Sequence, residues 1–518
     1  MNLILLFSIN LIGILLTTIL PTSLHRIHKI IGLVTANILL VLSLYLWLNY
    51  EIATFSYQYL WSVPWLEEFN IHLDFGVDDI SLFFILLTTF IFPFVILASW
   101  EIKEAKLLIF SLLAIELGLL LTFSTLDLFL FALFFESLLV PMFFIILFWG
   151  TRERRIKALT YFVIYTLLGS VFIILALFTI YFELGSTNFE QLQFAEIAEE
   201  KQLVIWLLLF LTFAIKIPMC PFHIWLPEAH VEAPTVGSVI LASLLLKLGG
   251  YGIVRFLFWI PFARFYFQPF VITICLISIL YASIIAIRQV DIKRIVAYSS
   301  IAHINFALLG FFSNTIYGIM GGMILIISHG IVSGALFLLV GVLYDRHHTR
   351  TIYYYSGLAQ VIPLFATITF LFIISNFSFP GTSNFVGELL VILGLGFGPY
   401  IILIIAAVST FFTLVYTLLL MNRILFGNLS TQFIKTFFDI NRREFNILWP
   451  LIALNIIIGI APSVIMYTCY PGLQLLVNST TIEQANMEAI FKYLWDIYED
   501  KELYIQYVIE GKDVPLDK

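Results

Sequence analysis

The 518-residue sequence has few charged side chains, which make up only 11% of its residues. Hydrophobic residues account for 61%, and the mean hydropathy is +1.03. A soluble domain cannot bury that much apolar surface, because globular domains usually hold about 25% charged residues. The composition therefore excludes a soluble enzyme and predicts a protein that crosses a membrane many times.

Cysteine is also rare, with three residues, Cys220, Cys275 and Cys469, far apart in the chain. None belongs to a C-x-x-C pair of the type that holds zinc or an iron–sulfur cluster. We therefore expect free thiols and no metal site. The net charge of −7 comes mostly from loops and the C-terminal segment, and no basic run predicts binding to nucleic acid.

A membrane-spanning helix needs about 20 apolar residues, and runs of that kind recur along the whole chain. The first run lacks a basic n-region and a small-residue cleavage site, so we interpret it as a span rather than a signal peptide. The predicted spans lie near residues 2–22, 29–50, 79–99, 107–123, 126–149, 156–182, 203–226, 236–259, 268–287, 295–312, 315–343, 358–397, 400–421 and 446–468.

Two of these runs contain helix-breaking sequence, FAIKIPMCPFHIWLPEAH at 213–230 and SNFSFPGTSNF around 376–385. Loop charge decides how to count them, since Lys and Arg mark the cytoplasmic or matrix face. Basic loops such as TRERRIK (151–157) alternate with acidic loops such as 51–79 and 183–201 only if each interrupted run is one broken span. We refer to the two sides as the basic face and the acidic face. The count is then about fourteen spans, with both termini on the acidic face.

The interruptions fall in spans seven and twelve, five spans apart, and an odd number of crossings reverses orientation. This spacing predicts two inverted five-helix repeats, spans 4–8 and 9–13, because paired broken spans mark such repeats in transporters. The predicted divisions are an N-terminal three-helix segment at 1–106, the first repeat at 107–259, the second repeat at 268–421, span fourteen at 446–468 and a C-terminal amphipathic extension at 482–518.

Five ionisable residues lie inside the predicted spans, away from the ends, and all but Glu116 are strong candidates for a pathway. Glu136 and Lys247 are near the middle of spans five and eight, and Lys216 and Glu388 adjoin the two helix breaks. A charge at the bilayer centre costs roughly 2.5–3.5 kcal/mol on insertion scales, so such groups face the protein interior and tend to serve a pathway.

Each of these residues also has a purely structural interpretation. Glu136 and Lys216 would then form a buried ion pair, although such pairs rarely add net stability. A snorkelling role for Lys247 requires a nearby interface, which the middle of a span does not offer. His303 and His329 are candidate relay groups, and the alternative is that each simply bonds a carbonyl.

Two further acids are weaker candidates. Glu116 lies inside span four, where a contact between helices is the simpler interpretation. Asp127 is nine residues before Glu136, or roughly 13 Å along a helix, and it sits at the predicted membrane edge. We expect Asp127 to cap a helix.

Four ordered motifs, FFESLLVPMFF, FAIKIPMCPFHIWLPEAHVEAPTVGSVILASLLLKLGGYG, DIKRIVAYSSIAHINF and FPGTSNFVGELL, carry a specific resemblance. The chain resembles, over nearly all of 70–430, the antiporter-like proton-pumping subunits of respiratory complex I, of the type known as chain 4 in mitochondria and M in bacteria. The family fold has fourteen transmembrane helices with two inverted five-helix repeats. The resemblance implies that Glu136 and Lys216 are a coupled pair, that Lys247 is the central lysine and that Glu388 is the acid beside the exit. Sister subunits usually hold lysine at the position of Glu388, so glutamate favours this type.

The resemblance also implies partners, cofactors and location. The partners would be lipid and the other membrane subunits of complex I, especially the sister antiporter-like chains 2 and 5. NADH, FMN, iron–sulfur clusters and ubiquinone would belong to the assembled complex, and this chain shows no motif for any of them. The expected location is the mitochondrial inner membrane, with a bacterial plasma membrane as the alternative. Two other functions stay open: a subunit of a multisubunit sodium/proton antiporter, and a structural membrane subunit that no longer pumps.

The residues themselves suggest how protons would move. An ion pair that forms and breaks can switch Lys216 between holding and releasing a proton, because the nearby Glu136 carboxylate favours the charged amine. Protons would be taken up at the basic face, pass Lys247 with help from His303 or His329, and leave through Glu388.

Overall fold

The computed structural model describes residues 3–52, 56–195, 197–258, 260–429, 434, 436–474 and 477. The described chain is mostly helical, and 11 of its helices, some of them joined across short breaks, are long and apolar enough to cross a membrane. The prediction of an all-α polytopic membrane protein is confirmed. The count of fourteen and the inverted relation of the repeats stay predictions, and the amphipathic extension predicted at 482–518 lies outside the described residues.

The N-terminal half of the described chain holds twelve α-helices and a two-stranded hairpin. Their bounds are α1 Leu3–Ile19, α2 His25–Leu48, β1 Gln58–Leu66, β2 Ile71–Val77, α3 Asp79–Ala98, α4 Ala105–Ser124, α5 Leu128–Ser137, α6 Leu139–Trp149, α7 Arg155–Leu184, α8 Phe189–Gln193, α9 Glu199–Lys216, α10 Trp225–Glu232, α11 Thr235–Ile240 and α12 Leu246–Gly252, with α13 following at Pro261–Arg288.

The C-terminal half is built from longer helices, except where span twelve is broken. Their bounds are α14 Ile292–Phe311, α15 Ile316–His347, α16 Pro363–Asn376, α17 Ser383–Leu395, α18 Tyr400–Leu425 and α19 Arg442–Ile460.

Both predicted helix breaks are present. Helix α9 ends at Lys216, and α10 begins only at Trp225. Helix α16 ends at Asn376, and α17 begins at Ser383. Proline lacks a backbone N–H, and its ring clashes with the preceding turn of a helix. The prolines of the first segment and Pro380 of the second therefore account for the two interruptions.

A further break, which the sequence interpretation missed, divides the predicted span 126–149. Helix α5 ends at Ser137 and α6 begins at Leu139. Pro141 cannot donate a backbone hydrogen bond to the carbonyl four residues earlier, which is that of Ser137. The break therefore falls at Leu138, two residues after Glu136, one of the predicted site residues.

The acidic loop at 51–79 contains a β-hairpin that the all-α prediction did not include. Strands β1 and β2 pair antiparallel, and Trp61, opposite Phe75, stacks on its ring at a centroid distance of 5.5 Å. The side-chain amide of Asn188, just before α8, donates to Asp74 of β2 at 2.9 Å. The hairpin thus packs onto the acidic-face ends of the membrane helices.

The helices differ sharply in how much of their surface meets the membrane. The most apolar stretches of α15 and of residues Thr235–Leu257 are wholly buried, whereas only 28% of the corresponding stretch of α18 is buried. We call Thr235–Leu257 span eight. Lys247 on span eight and His329 on α15, each 1% exposed, are therefore enclosed by protein and do not face lipid.

Asn455 of α19 holds the two halves of the broken span twelve together. Its amide nitrogen donates to Ser375 Oγ of α16 at 2.8 Å. Its amide oxygen accepts a hydrogen bond from Ser383 Oγ of α17 at 2.7 Å. One buried side chain thus bonds to both sides of the break, and it satisfies polar groups that the interrupted helix leaves in an apolar setting.

Candidate functional site

Lys247 lies at the centre of span eight, on a short α-helical segment between two π-helical ones. These segments cover Leu241–Leu245 and Ile253–Leu257. A single π turn inside an α-helix is rare and is often found at functional sites. The Lys247 side chain is 1% exposed, so the predicted burial of this lysine is confirmed.

The Lys247 ammonium has two partners. Its Nζ donates to the carbonyl of Ala242 in the preceding π-helical segment. It also lies 2.9 Å from Nδ1 of His329 on α15. A buried charge needs such partners because burying it unpaired costs several kcal/mol. Lys247 therefore joins span eight to the second half of the chain.

His329 is followed by a second histidine and then by a carboxylate. The rings of His329 and His303 have centroids 5.6 Å apart. Nδ1 of His303 lies 3.0 Å from Oε1 of Glu388 on α17. All three residues are buried. The structure thus brings four of the six predicted site residues into one line, from Lys247 through His329 and His303 to Glu388.

The Nε2 atoms of the two histidines are buried, and neither has a hydrogen-bond partner within the described part of the chain. Buried polar atoms are normally paired, often with an ordered water. Since Nδ1 of each ring already faces Lys247 or Glu388, Nε2 is the nitrogen of each ring that has no partner among the described residues.

The other two predicted site residues, Glu136 and Lys216, are close in the fold but do not form an ion pair. No pair within 4.0 Å joins their charged atoms in the described residues. Instead, the Lys216 ammonium lies 4.3 Å from the centre of the Phe135 ring, next to Glu136 in sequence. A cation–π contact of this type is worth about 2 kcal/mol or more when desolvated. In this structure Lys216 therefore contacts the Phe135 ring, next to its predicted partner Glu136.

The break after α9 also brings Lys216 close to span eight. The indole nitrogen of Trp225 donates back to the carbonyl of Ile215 at 2.9 Å, which fixes α10 against the end of α9. A β-carbon on Gly249 would overlap the side chain of Ile217. Gly249, two residues after Lys247, therefore allows span eight to pack closely against the end of α9.

Sequence interpretation missed a polar cluster at the basic-face end of α10. Lys293, which lies in the basic stretch RQVDIKR (288–294), is 2% exposed, and its Nζ donates to Ala233 O and Ser238 Oγ, both at 2.8 Å. His230 is 0% exposed and stacks on Phe337 of α15 at 4.6 Å. The sequence contained a signal for Lys293, because an apolar helical pattern begins directly at Ile292.

A cavity of about 320 Å³ opens beside this cluster at the basic face. Arg152, Arg154, Glu232 and Asp291 are among the residues that line it. Oε2 of Glu232 is buried and has no hydrogen-bond partner among the described residues. Since a water molecule occupies about 30 Å³ in the liquid, the cavity has room for several waters next to this carboxylate.

Arg350 forms the inner wall of the same cluster. Its guanidinium donates to the carbonyl of Val231 near the C-terminal end of α10, where cations are favoured by the helix dipole. Burial lowers the pKa of Arg350, and Asp291, whose Oδ2 lies 3.7 Å from Nε, offsets part of this effect. Lys293 and Arg350 thus hold the basic-face end of α10 from two sides.

Asp127 and Glu116 lie away from the line of site residues. Asp127 accepts a hydrogen bond from the Leu130 N–H at 3.1 Å and caps α5, so the predicted capping role is confirmed. Glu116 is 0% exposed, and neither of its carboxylate oxygens has a partner in the described part of the chain.

Buried charges beside broken membrane helices are typical of transport proteins, and this is the class that the fold and the site indicate. A model of the family described as "NADH:quinone oxidoreductase/Mrp antiporter, TM" matches residues 125–413. The chain belongs to this family.

Similar proteins agree with this assignment. The chain is 44% identical over 476 residues to "NADH-ubiquinone oxidoreductase chain 4" of Marchantia polymorpha, covering 91% of this chain and 96% of the relative. It is 45% identical over 456 residues to the protein of the same name in Chondrus crispus, with coverage of 88% and 93%.

Solved structures share the fold. A chain of "Respiratory complex I from Thermus thermophilus with bound NADH" superposes with a TM-score of 0.83 at 27% identity, covering 92% of this chain and 99% of that one. A chain of the "Mrp complex from Dietzia sp. DQ12-45-1b" gives 0.81 at 19% identity, with coverage of 93% and 99%, and shows the fold alone.

Proposed function

We propose that the chain is a proton-translocating membrane subunit of NADH:ubiquinone oxidoreductase in the mitochondrial inner membrane. The line of buried titratable groups from Lys247 to Glu388 carries this proposal. Relatives 44–45% identical over most of the chain bear the name of a subunit of that enzyme. NADH oxidation and quinone reduction take place on other subunits, and this chain moves the proton.

In the proposed path, each histidine takes up a proton at one ring nitrogen and releases one from the other. His329 would accept a proton from the Lys247 ammonium at Nδ1 and release one from Nε2 to a water between the rings. That water would pass a proton to Nε2 of His303, and His303 would give up the proton on Nδ1 to the Glu388 carboxylate. Each neutral imidazole carries one proton and one free nitrogen, which allows it to accept and donate at once.

Uptake at the basic face is supported by the cavity that Glu232 lines. His230 stacks on Phe337, eight residues after His329 on α15, or about 12 Å closer to the basic face along the helix. Both ring nitrogens of His230 are buried and have no partner among the described residues. Waters in the cavity would connect Glu232 and His230 to the His329 and Lys247 pair.

Lys216 and Glu136 would couple this chain to a neighbouring subunit, for which the sister chains 2 and 5 are the candidates. The lysine lies on the Phe135 ring and can swing to the carboxylate of the next residue, Glu136. Two unit charges 4 Å apart interact by about 4 kcal/mol at an effective dielectric near 20. The exchange between the ring and the carboxylate therefore moves the lysine between two electrostatically different states.

Neutral substitutions test the proposal in the assembled complex. Lys247→Met and Glu388→Gln should abolish NADH-driven proton uptake into reconstituted vesicles, and Glu136→Gln and Lys216→Met should do the same without loss of assembly. Lys157→Met is a matched control, because Lys157 is exposed near the start of α7. Normal pumping by the Lys247 or Glu388 variant would refute the proposal and favour a structural subunit.

A sodium/proton antiporter subunit is the second candidate, since the family includes Mrp antiporters and the fold matches a chain of an Mrp complex. It predicts sodium-dependent proton exchange without NADH oxidation. Measuring exchange in the same vesicles with sodium or choline separates the two functions.

A further inference from the structure

Span eight carries a row of polar side chains toward the acidic face. Lys247, Tyr251 and Arg255 follow at four-residue spacing, which places them on one side of a helix. Nε of Arg255 donates to the Tyr251 hydroxyl at 3.2 Å, so the row is continuous at its outer end. A second route for a proton on Lys247 would therefore run straight along span eight, in addition to the line through His329.

The space around Tyr251 is apolar. The rings of Phe84 and Phe123 pack edge-on against Tyr251 with centroids 5.4 and 5.2 Å away, and Phe131 lies 6.2 Å away. The Tyr251 hydroxyl donates to the Phe123 carbonyl at 3.2 Å. Tyr251 is 0% exposed. This aromatic box leaves one hydroxyl as the polar group between Lys247 and Arg255 along the row.

Arg255 closes the outer end of the box. Its NH1 pairs with Asp78 Oδ2 at 2.7 Å, while its guanidinium lies 5.5 Å from the Tyr57 ring centre and 5.7 Å from that of Phe189. The Arg255 side chain is 8% exposed. Asp78 is the N-cap of α3 at the acidic face, and Tyr251 is on the inner side. The ion pair is thus oriented with the cation toward Lys247 and the anion toward the outside.

We propose that Arg255 is an electrostatic seal that stops a proton on Lys247 from escaping directly to the acidic face. A guanidinium does not lose its proton at physiological pH, so it cannot pass one on, and it repels a second positive charge. The proton then leaves Lys247 only sideways, through His329. The seal would make the first half of the chain a dead end on its acidic side, and it rests on the proposed proton-carrying role of Lys247.

The structural alternative is that the ion pair of Arg255 and Asp78 only holds span eight against the start of α3. In that case Arg255 and Asp78 matter equally, because removing either partner breaks the same ion pair. If Arg255 is a seal, the two charges have opposite effects on the proton barrier, because Asp78 partly cancels the field of Arg255. Loss of the Asp78 charge should leave the barrier intact or raise it, whereas loss of the Arg255 charge should lower it.

The test measures passive proton flux into vesicles that contain the assembled complex, without NADH. A potassium gradient with valinomycin sets the voltage, and a trapped pH-sensitive dye reports the flux. For Arg255→Gln we expect flux to rise about tenfold or more, because a unit charge beside the route is lost. Arg255→Lys and Asp78→Asn should remain as tight as the natural protein. A tight Arg255→Gln variant, or equal leaks in Arg255→Gln and Asp78→Asn, would overturn the seal.

Two double variants complete the test. Arg255→Gln with Asp78→Asn leaves no unpaired charge, so it supplies the leak measurement if Arg255→Gln alone fails to assemble. Lys247→Met with Arg255→Gln should be tight again if the leak runs through Lys247; an undiminished leak would contradict the seal. Pumping by Lys247→Met alone tests the proposed function separately, so a failure of the seal can be told apart from a failure of the proposed function.

Discussion

The Nζ atom of Lys247 lies 2.9 Å from Nδ1 of His329, which joins span eight to α15. Of the side chains in the described residues, His329 is the one that hydrogen-bonds to the central lysine. The proton path proposed for the chain therefore begins at this contact.

Replacing His329 with Leu should remove the first transfer step. A positioned acid or base typically contributes about 10²–10⁴-fold to a proton transfer, so NADH-driven proton translocation should fall at least about tenfold. The measurement is proton uptake by reconstituted vesicles, normalised to the amount of assembled complex. His25→Leu is the control, because His25 is exposed at the start of α2. Full pumping by the His329 variant would show that protons do not use this contact.

Replacing Gly249 with Ala should push span eight away from the end of α9. The added β-carbon would overlap Ile217, and overpacking of this type costs about 1–3 kcal/mol. Gly169→Ala is the matched control, since the nearest atom to a β-carbon there is the Thr212 carbonyl oxygen at 3.8 Å. Thermal denaturation of the purified complex can be monitored by the release of this chain. The midpoint temperature should be lower for the Gly249 variant alone. Equal midpoints would mean that the two helices can separate at little cost.

Replacing Asn455 with Leu should loosen the broken span twelve. The change removes the acceptor of the buried Ser383 hydroxyl and the hydrogen bond to Ser375, and a buried unsatisfied polar group costs about 1–3 kcal/mol. The accessibility of a cysteine introduced at Ser378, inside the break, would report the loosening as faster labelling. Asn37→Leu serves for comparison, because the exposed Asn37 amide bonds only to a carbonyl of its own helix. Unchanged labelling in the Asn455 variant would argue against the clamp.

Replacing Lys293 with Met should destabilise the basic-face end of α10. The variant loses two hydrogen bonds, to Ala233 and Ser238, in a buried site, and the expected cost is about 2–3 kcal/mol. Arg294→Met should cost less than about 1 kcal/mol, since its pair with Glu228 is partly exposed. Protease sensitivity of the α10 segment distinguishes them. If both variants resist protease like the natural chain, Lys293 does not hold α10.

Much of the fold was predictable because few backbone structures are stable in the hydrocarbon of a membrane. The apolar runs predicted the spans, and proline predicted the breaks after Lys216 and Asn376. The burial of Lys247 followed from its distance to either interface. These conclusions need only local sequence, because a backbone in hydrocarbon must satisfy its hydrogen bonds within its own helix.

Other features depend on contacts between distant segments, which local sequence does not determine. His303 and Glu388 are 85 residues apart, and only packing of α14 against α17 brings them to 3.0 Å. Lys293 looked like a loop cation because it follows Asp291 and precedes Arg294, yet α14 turns it inward. The position of Lys216 on the Phe135 ring, rather than on the Glu136 carboxylate, is a choice between two nearby partners that sequence does not resolve.

The line from Lys247 to Glu388 takes its first member from one half of the chain and its other three from the other. Neither half could be exchanged by recombination with a distant relative unless the opposite half already matched it at this junction. The two parts are therefore expected to have been inherited together. Hybrids spliced near residue 260 would form their helices but would combine a Lys247 side and a His329 side that do not fit each other.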